Sequence, residues 1–180
     1  MRFVISIVIA SLLFLVSCSV KAKLNPYELS WLDAYKVGDT MIFRSDLGEL
    51  DTSVIIKKDM FFENYGDQID KSFERQWGVI WYKNKNLEYH PDGDRLLTIE
   101  KQYPQKGAFV SIDFLYSGVL ILHLNADTMQ KLEKNGLYEF DVSRSDGRPK
   151  QPKMIYWSRA NGVVKYINHD NSIWELVKRK

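Results

Sequence analysis

The feature that most constrains the fold of this chain is the alternation of apolar and polar residues that begins after Gly38 and runs towards the C-terminus. A period of two places successive side chains on opposite faces of a strand, and Gly, Asn or Asp turns separate the alternating segments. The sequence therefore predicts a mostly β fold, an antiparallel meander of roughly ten strands in a barrel or a sandwich. The predicted strands are residues 40–44, 52–58, 77–83, 87–89, 95–101, 109–116, 119–124, 137–142, 153–158, 163–167 and 173–177.

One or two short helices are predicted beside the strands. Asn25 can cap a helix in which Pro26 takes the first position, and aromatic residues follow at steps of four as far as Tyr35. A second helix is predicted from Asp127, which can cap it, to Asn135-Gly136, which would end it.

The last hairpin has a turn that predicts its register. Asn161-Gly162 is a preferred pair for a two-residue type I′ turn, in which both central residues have positive φ. Such a turn would place Trp157 opposite Tyr166 and Tyr156 opposite Ile167, and the aromatic pair would help to fix this register.

A second hairpin is predicted around Ser117-Gly118. A two-residue turn there would place Phe114 opposite Ile121 and Ile112 opposite His123. Both faces of this hairpin would be largely apolar, so we expect it to lie at the centre of the fold.

The N-terminus has the organisation of a signal peptide. A basic Met1-Arg2 precedes an apolar segment, residues 3–16, and small Ser17 stands before Cys18, the single cysteine of the chain. The apolar segment is shorter than the ~20 residues that span a bilayer. An uncleaved membrane anchor, or a secreted protein with an incidental cysteine, is the alternative interpretation.

The pattern Leu15-Val16-Ser17-Cys18 resembles the lipobox of bacterial lipoproteins. The resemblance implies that Cys18 carries acyl chains and becomes the first residue of the mature protein. The expected organisation is a signal peptide at residues 1–17, a lipidated tether at 18–24 and a single β-rich domain at 25–180. Because no second cysteine is present, no intrachain disulfide can stabilise this domain.

Two further segments are similar to small uncharacterised lipoproteins of Bacteroidetes-type bacteria. They are residues 35–52, which begin Tyr35-Lys36-Val37-Gly38-Asp39, and residues 156–176, which begin Tyr156-Trp157-Ser158. The resemblance implies a mostly β domain anchored to the outer membrane, and it supplies no catalytic residue. In that group an early acidic cluster often accompanies surface export. No such cluster follows Cys18, which implies a periplasmic location.

Motifs for enzymatic chemistry are absent from the sequence. It contains no nucleophile elbow, no glycine-rich phosphate loop and no histidine spacing typical of metal sites, so we expect neither catalysis nor a cofactor or metal. Asp46, Glu49 and Asp51 surround a glycine turn and are interpreted as solvated carboxylates rather than a weak cation site. Asp113 and His123 stand in apolar segments, where we interpret them as hydrogen-bonded structural residues.

Trp77 and Trp81 are the candidate ligand-binding residues. They share one face of a predicted strand with Val79, ~13 Å apart along it, a spacing suited to lining a groove for a sugar or a lipid chain. Packing as ordinary core aromatics is the alternative interpretation.

The charge pattern excludes one class of partner. The net charge is +2, and 25 basic and 23 acidic residues are interspersed, so nucleic-acid binding is not expected.

We expect a lipid-anchored protein of the cell envelope whose β domain binds a carbohydrate, a lipid or a protein partner without catalysis. The alternatives are a hydrolase acting on envelope glycan and a structural subunit of an outer-membrane complex.

Overall fold

The computed structural model describes residues 20–64, 73–86, 93–102, 106–116, 120–124, 133–142 and 148–180. The predicted signal peptide, Cys18, the predicted strand at 87–89 and most of the second predicted helix lie outside these residues. None of the described helical segments is long and apolar enough to cross a bilayer.

The described residues form one helix, α1 (Pro26–Asp33), and twelve strands: β1 (Val20–Ala22), β2 (Thr40–Ser45), β3 (Leu50–Asn64), β4 (Phe73–Asn84), β5 (Asp94–Lys101), β6 (Ala108–Ile112), β7 (Leu120–Leu124), β8 (Glu133–Lys134), β9 (Leu137–Asp141), β10 (Pro152–Ser158), β11 (Gly162–Asn168) and β12 (Ile173–Arg179).

All strands belong to one sheet with the order β7-β6-β5-β4-β3-β2-β12-β11-β10-β9-β8. Every pair along this path is antiparallel, and β1 adds to β4 in parallel. The prediction of a mostly β antiparallel meander is confirmed. The strands at the two ends, β7 and β8, are consecutive in the chain, and no ladder joins them in the described residues, so the sheet is not closed.

The sheet curls strongly around a single core. Phe114 is the second residue after β6 and Tyr166 lies in β11, six positions further along the sheet. Six strand spacings of ~4.8 Å would separate them by ~29 Å in a flat sheet. Their ring centroids are in fact 5.3 Å apart. The concave face therefore folds over on itself, and its largest buried residues are aromatic: Trp31, Trp157, Tyr35, Tyr82, Tyr138, Tyr166, Phe43, Phe114 and Phe140.

Helix α1 starts at the predicted cap. The Asn25 side chain accepts a hydrogen bond from the Glu28 N–H at 2.8 Å, and the Glu28 carboxylate accepts one from the Asn25 N–H at 2.8 Å. This capping box satisfies two backbone donors at the helix start. Glu28 is also paired with Lys101 Nζ at 2.8 Å, and both side chains are buried. Since Lys101 is the last residue of β5, this ion pair attaches the start of the helix to the sheet.

The helix fills one end of the concave face. Trp31 stacks on Trp157 of β10 with a centroid distance of 4.2 Å and an interplanar angle of 10°. Just beyond the helix, the Tyr35 hydroxyl accepts hydrogen bonds from Trp157 Nε1 at 3.2 Å and from the Val163 N–H at 3.0 Å. Burial raises the pKa of Tyr35 to about 12 against the opposing effect of these donors, so the hydroxyl remains neutral at physiological pH.

The predicted register of the last hairpin is wrong. Trp157 pairs with Val163 and Tyr166 pairs with Ile155, because residues 159–161 form a three-residue loop. Gly162 has a φ of 69°, whereas Asn161 is not among the residues with positive φ, so the turn is not type I′. A register shift between Tyr156 and Trp157 accommodates the longer loop.

Asn135-Gly136 forms the type I′ geometry instead. Asn135 has a φ of 54° and Gly136 one of 78°, and Lys134 pairs directly with Leu137 across them. These two residues were predicted to end a helix, and they connect β8 to β9 as a tight hairpin. An Asn-Gly pair favours either structure, and here the flanking residues pair as strands.

The register and the location predicted for the other hairpin are also wrong. His123 pairs with Phe109 and Ile112 with Leu120, a shift of three residues, because β6 ends at Ile112. Phe114 leaves the strand and packs into the core. Since β7 ends the sheet, this hairpin lies at one edge of the fold rather than at its centre.

Both ends of the domain are fixed to the body of the sheet. Residues 20–22, within the predicted tether, form β1 and pair with β4. At the other end Arg179 is paired with Asp39, and its guanidinium lies 5.6 Å from the centre of the Tyr35 ring. Burial opposes the ionisation of Asp39, but the hydrogen bond and charge of Arg179 outweigh it, and the pKa of Asp39 is lowered.

Gly162→Ala is expected to destabilise the domain more than Gly48→Ala. Both glycines have positive φ, which costs an alanine about 1–2 kcal/mol. A Cβ at position 162 would also overlap the Tyr35 ring, whereas one at 48 meets no described atom within 4 Å. We therefore expect losses in the free energy of unfolding of about 2–5 kcal/mol for Gly162→Ala and about 1–2 for Gly48→Ala. Denaturant midpoints measure both, and equal losses would contradict the contact with Tyr35.

Candidate functional site

A cavity of about 580 Å³ opens at the end of the concave face opposite to helix α1. We call it the Asp51 pocket. It lies where β3 and β12 begin and where β4 and β11 end. The residues that define it are Leu50, Asp51, Asn84, Tyr166, Asn168 and Trp174.

A buried carboxylate with a complete set of donors forms the floor of this pocket. Asn84 Nδ2 lies 2.8 Å from each oxygen of Asp51, and Asn86 Nδ2 donates to Oδ1 at 2.9 Å. The Tyr166 hydroxyl donates to Oδ2 at 3.1 Å, and Asn84 also donates to Ser53 Oγ at 2.9 Å. Asp51 is 4 % exposed, so these hydrogen bonds replace the water that an ionised carboxylate needs.

The donors to Asp51 in the described residues are all uncharged. Burial, followed by the charge of Asp51 and the hydrogen bond to it, raises the pKa of Tyr166 far above its ordinary value. Tyr166 therefore stays protonated and acts as a donor. The other charged side chains that line the pocket, Glu49, Lys150 and Asp170, are exposed at its rim. The floor therefore carries a fixed negative charge held by neutral groups.

The wall of the pocket adds an aromatic surface and a second acceptor. Trp174 stacks on Tyr166 with a centroid distance of 5.7 Å and an interplanar angle of 5°, and it is partly exposed. Asn168 is 4 % exposed and donates through Nδ2 to Ser172 Oγ at 3.1 Å. Its Oδ1 has no hydrogen-bond partner within the described parts of the chain. An acceptor that is buried without a partner is costly, which suits a site where a ligand supplies the donor.

Strained backbone borders the pocket. Leu115, which lines it, and Tyr116 have φ values of 55° and 57°, each costing about 1–3 kcal/mol in a residue other than glycine. The Leu115 N–H donates to the Tyr82 hydroxyl at 2.8 Å, and Gln151 Nε2 donates to the Tyr116 carbonyl at 3.0 Å. These bonds hold the segment in place, and strain of this kind clusters at ligand sites.

Trp77 and Trp81 lie on the convex face of the sheet. Their strand neighbours Ile80 and Tyr82 point into the core, whereas both tryptophans are partly exposed. Trp77 stacks on Phe61 with a centroid distance of 6.2 Å. The ring of Trp81 lies beneath two cations, with Lys57 Nζ 5.9 Å and the Arg95 guanidinium 5.2 Å from its centre.

The convex face has a cavity of its own, of about 510 Å³, which Trp77 lines together with Phe109. Trp81 is not among its lining residues, so the two candidate residues do not share one groove. Arg75 and Glu100 are ion-paired in this cavity, and burial raises the pKa of Glu100 against the effect of Arg75. These two charges face each other as an ion pair, and Arg95 and Asp113 also line this cavity.

The structure places the other polar residues singled out in the sequence in different environments. Asp113 follows β6 and lines the convex cavity, and His123 lies in β7 opposite Phe109. Asp46 and Glu49 are exposed, as predicted, but Asp51 is a buried strand residue and its interpretation as a solvated carboxylate is wrong. The physical reason is that Asp51 is the second residue of β3, where its side chain faces Asn84 and Tyr166 instead of water. Cys18 lies outside the described residues.

Sequence reasoning missed Trp174, Asn168 and Asn84 as site residues. Asn168 and Trp174 lie in the consecutive strands β11 and β12, but β4, which carries Asn84, is far from them in the chain. The curling of the sheet brings Asn84 to the other two. One signal was available in β3, where Asp51, Ser53 and Ile55 alternate on the face that turns out to be concave. The first two of these core-facing positions are polar and the third is apolar. This pattern indicates that the core is polar at the end where β3 begins.

Comparison with known proteins finds no matching family model, no similar curated protein and no similar solved structure. Within the described residues, no group of three His, Cys, Asp or Glu side chains is arranged to hold a metal ion. The candidate site therefore rests on its own geometry.

Trp77→Ala and Trp81→Ala are expected to cost less stability than Trp157→Ala. The first two side chains are partly exposed on the convex face, so removing either should cost about 1–2 kcal/mol. Trp157 is fully buried against Trp31, and its removal should cost about 3–5 kcal/mol. Chemical denaturation of the three variants measures the difference, and a loss at Trp77 or Trp81 as large as that at Trp157 would make them core residues.

Proposed function

We propose that this chain is a lipid-anchored protein of the bacterial cell envelope whose β domain binds a ligand in the Asp51 pocket without catalysing a reaction. The lipobox-like pattern at Cys18 and the resemblance to small outer-membrane lipoproteins support the anchor and a periplasmic location. The pocket supports the binding function. The observation that carries it is the buried Asp51 carboxylate, held at the floor of an open pocket by Asn84, Asn86 and Tyr166.

The ligand class that suits this pocket is a neutral carbohydrate. Asn168 presents an acceptor to a hydroxyl donor. The partly exposed Trp174 offers a flat apolar surface to the C–H face of a sugar ring. Exposed Leu47 and Leu50 add apolar area at the rim. A few fixed polar groups within an otherwise apolar and aromatic lining are typical of small-molecule sites.

A hydrolase acting on envelope glycan is the second candidate function. Three carboxylates line the pocket, Glu49, Asp51 and Asp170, and glycoside hydrolysis requires two that flank the scissile bond. Against it, both oxygens of Asp51 already accept two hydrogen bonds, which leaves a well-fixed acceptor rather than an available nucleophile. Release of reducing ends from a bound glycan would favour the hydrolase.

Cys18→Ala is expected to release the protein from the membrane. The substitution removes the only thiol that can accept a diacylglycerol, and several buried acyl chains are what anchors a lipoprotein firmly. The variant should therefore move from the membrane fraction to the soluble fraction after a high-salt wash. A wild-type protein whose Cys18 carries no acyl chains by mass spectrometry would show that the lipoprotein assignment is wrong.

Trp174→Ala is expected to weaken glycan binding by about tenfold or more, because loss of an aromatic contact in a binding site commonly costs over 1 kcal/mol. Titration of the full-length protein with neutral oligosaccharides, identified on a glycan array, measures the affinity. Trp77→Ala is the matched control, since Trp77 lines only the convex cavity. If Trp77→Ala abolished binding and Trp174→Ala did not, the site would lie on the convex face instead.

A further inference from the structure

We propose that the second half of β3 inserts apolar side chains into the surface of the same bilayer that holds the acylated Cys18. The residues concerned are Met60, Phe61 and Phe62, which we call the hairpin patch. This inference rests on the lipid anchor of the proposed function and is independent of the ligand in the Asp51 pocket.

The hairpin patch is exposed on both faces of the sheet. Met60, Phe61 and Phe62 are 55 %, 41 % and 38 % exposed, and consecutive strand residues point to opposite sides. Asp51, Ser53 and Ile55 are buried nearer the start of β3, but no residue from Lys57 to Asn64 is. This half of the strand therefore projects beyond the core and carries three large apolar side chains with it. Consecutive exposed apolar residues of this kind mark interaction surfaces.

The lipid anchor emerges beside this patch. β1 runs parallel to β4, with Ala22 opposite Arg75 and Val20 opposite Phe73, so the chain leads towards Cys18 in the direction of the hairpin end. Gln76, which pairs with Phe62, lies only three residues from Phe73, or ~10 Å along the strand. Cys18 is two residues before Val20 and thus at most ~7 Å from it. The acyl chains consequently enter the bilayer within reach of the patch.

The charges around the patch are nearly balanced. Lys21 Nζ pairs with Glu74 at 2.9 Å and lies 5.0 Å above the centre of the Phe62 ring. Exposed Glu63 adds a negative charge at the end of the hairpin. Phenylalanine and lysine side chains are typical of segments that lie ~5–10 Å into the headgroup and acyl boundary. Because the described residues around the patch show no excess of basic side chains, the proposed insertion depends on apolar burial, and we expect it to persist at high salt.

A fluorescent probe on the acylated full-length chain tests the insertion. Acylation blocks Cys18, the only natural cysteine, so Phe62→Cys provides a single reactive thiol for the polarity-sensitive dye NBD. Met60→Cys is a second probe site, and Leu47→Cys is the matched control. Leu47 is 82 % exposed and lies before β3, at the opposite end of that strand from the hairpin patch. Each labelled protein is reconstituted into phosphatidylethanolamine–phosphatidylglycerol vesicles with or without doxyl-labelled lipid.

In Phe62→Cys and Met60→Cys, the NBD emission should shift to shorter wavelength and be quenched by the doxyl lipid. In Leu47→Cys the emission should remain that of a dye in water. Equal quenching at all three sites, or none at any of them in acylated, vesicle-bound protein, would overturn the insertion. Protection of position 62 from aqueous iodide without doxyl quenching would do the same and indicate a protein partner or a second copy. Mass spectrometry that finds no acyl chains on Cys18 would overturn the anchor itself, so the two failures are distinguishable.

Discussion

The stacking of Trp31 on Trp157 is the contact on which the arrangement of this domain depends. A curled sheet needs material inside its concave face, and helix α1 supplies it at one end only. The buried pair of Glu28 and Lys101 attaches the start of the helix to β5. The Tyr35 hydroxyl accepts a hydrogen bond from the Val163 N–H near the start of β11. With eight residues, the helix is too short to fill the whole face. The far end is left to polar side chains, and it becomes the Asp51 pocket.

This division places the two proposed functions at opposite ends of the molecule. β3 begins at the pocket and carries the hairpin patch in its second half, and the nine residue steps from Asp51 to Met60 span at most ~30 Å of extended strand. The anchor proposed at Cys18 lies at the patch end. A protein held at that end presents its pocket away from the bilayer, towards whatever diffuses through the surrounding space. The proposed binding and the proposed anchoring therefore use different residues.

Local sequence patterns predicted the positions of the strands and of the helix well, but they predicted the registers between strands poorly. The period of two located nearly all strands in the described residues, and Asn25 and Pro26 located the helix start. Registers failed because they depend on loop length: the loop before Gly162 has three residues, and β6 ends at Ile112. The site could not be assembled from the sequence for a related reason. Tyr166 and Trp174 pair across consecutive strands, but Asp51 meets them only because β12 pairs with β2, an order that no local pattern encodes.

That position of β12 has a consequence for the order of events during biosynthesis. Strands β2–β7 and β8–β12 form two continuous runs, and the ladder between β2 and β12 is what joins them in the sheet. Lys180, just after β12, extends this ladder, since its N–H donates to the Thr40 carbonyl at 3.2 Å and the Thr40 N–H donates to the Lys180 carbonyl at 3.0 Å. A chain that emerges N-terminus first exposes the edge of β2 until β12 has also emerged. The two runs of strands therefore join late, and until then that edge is available for pairing with other chains.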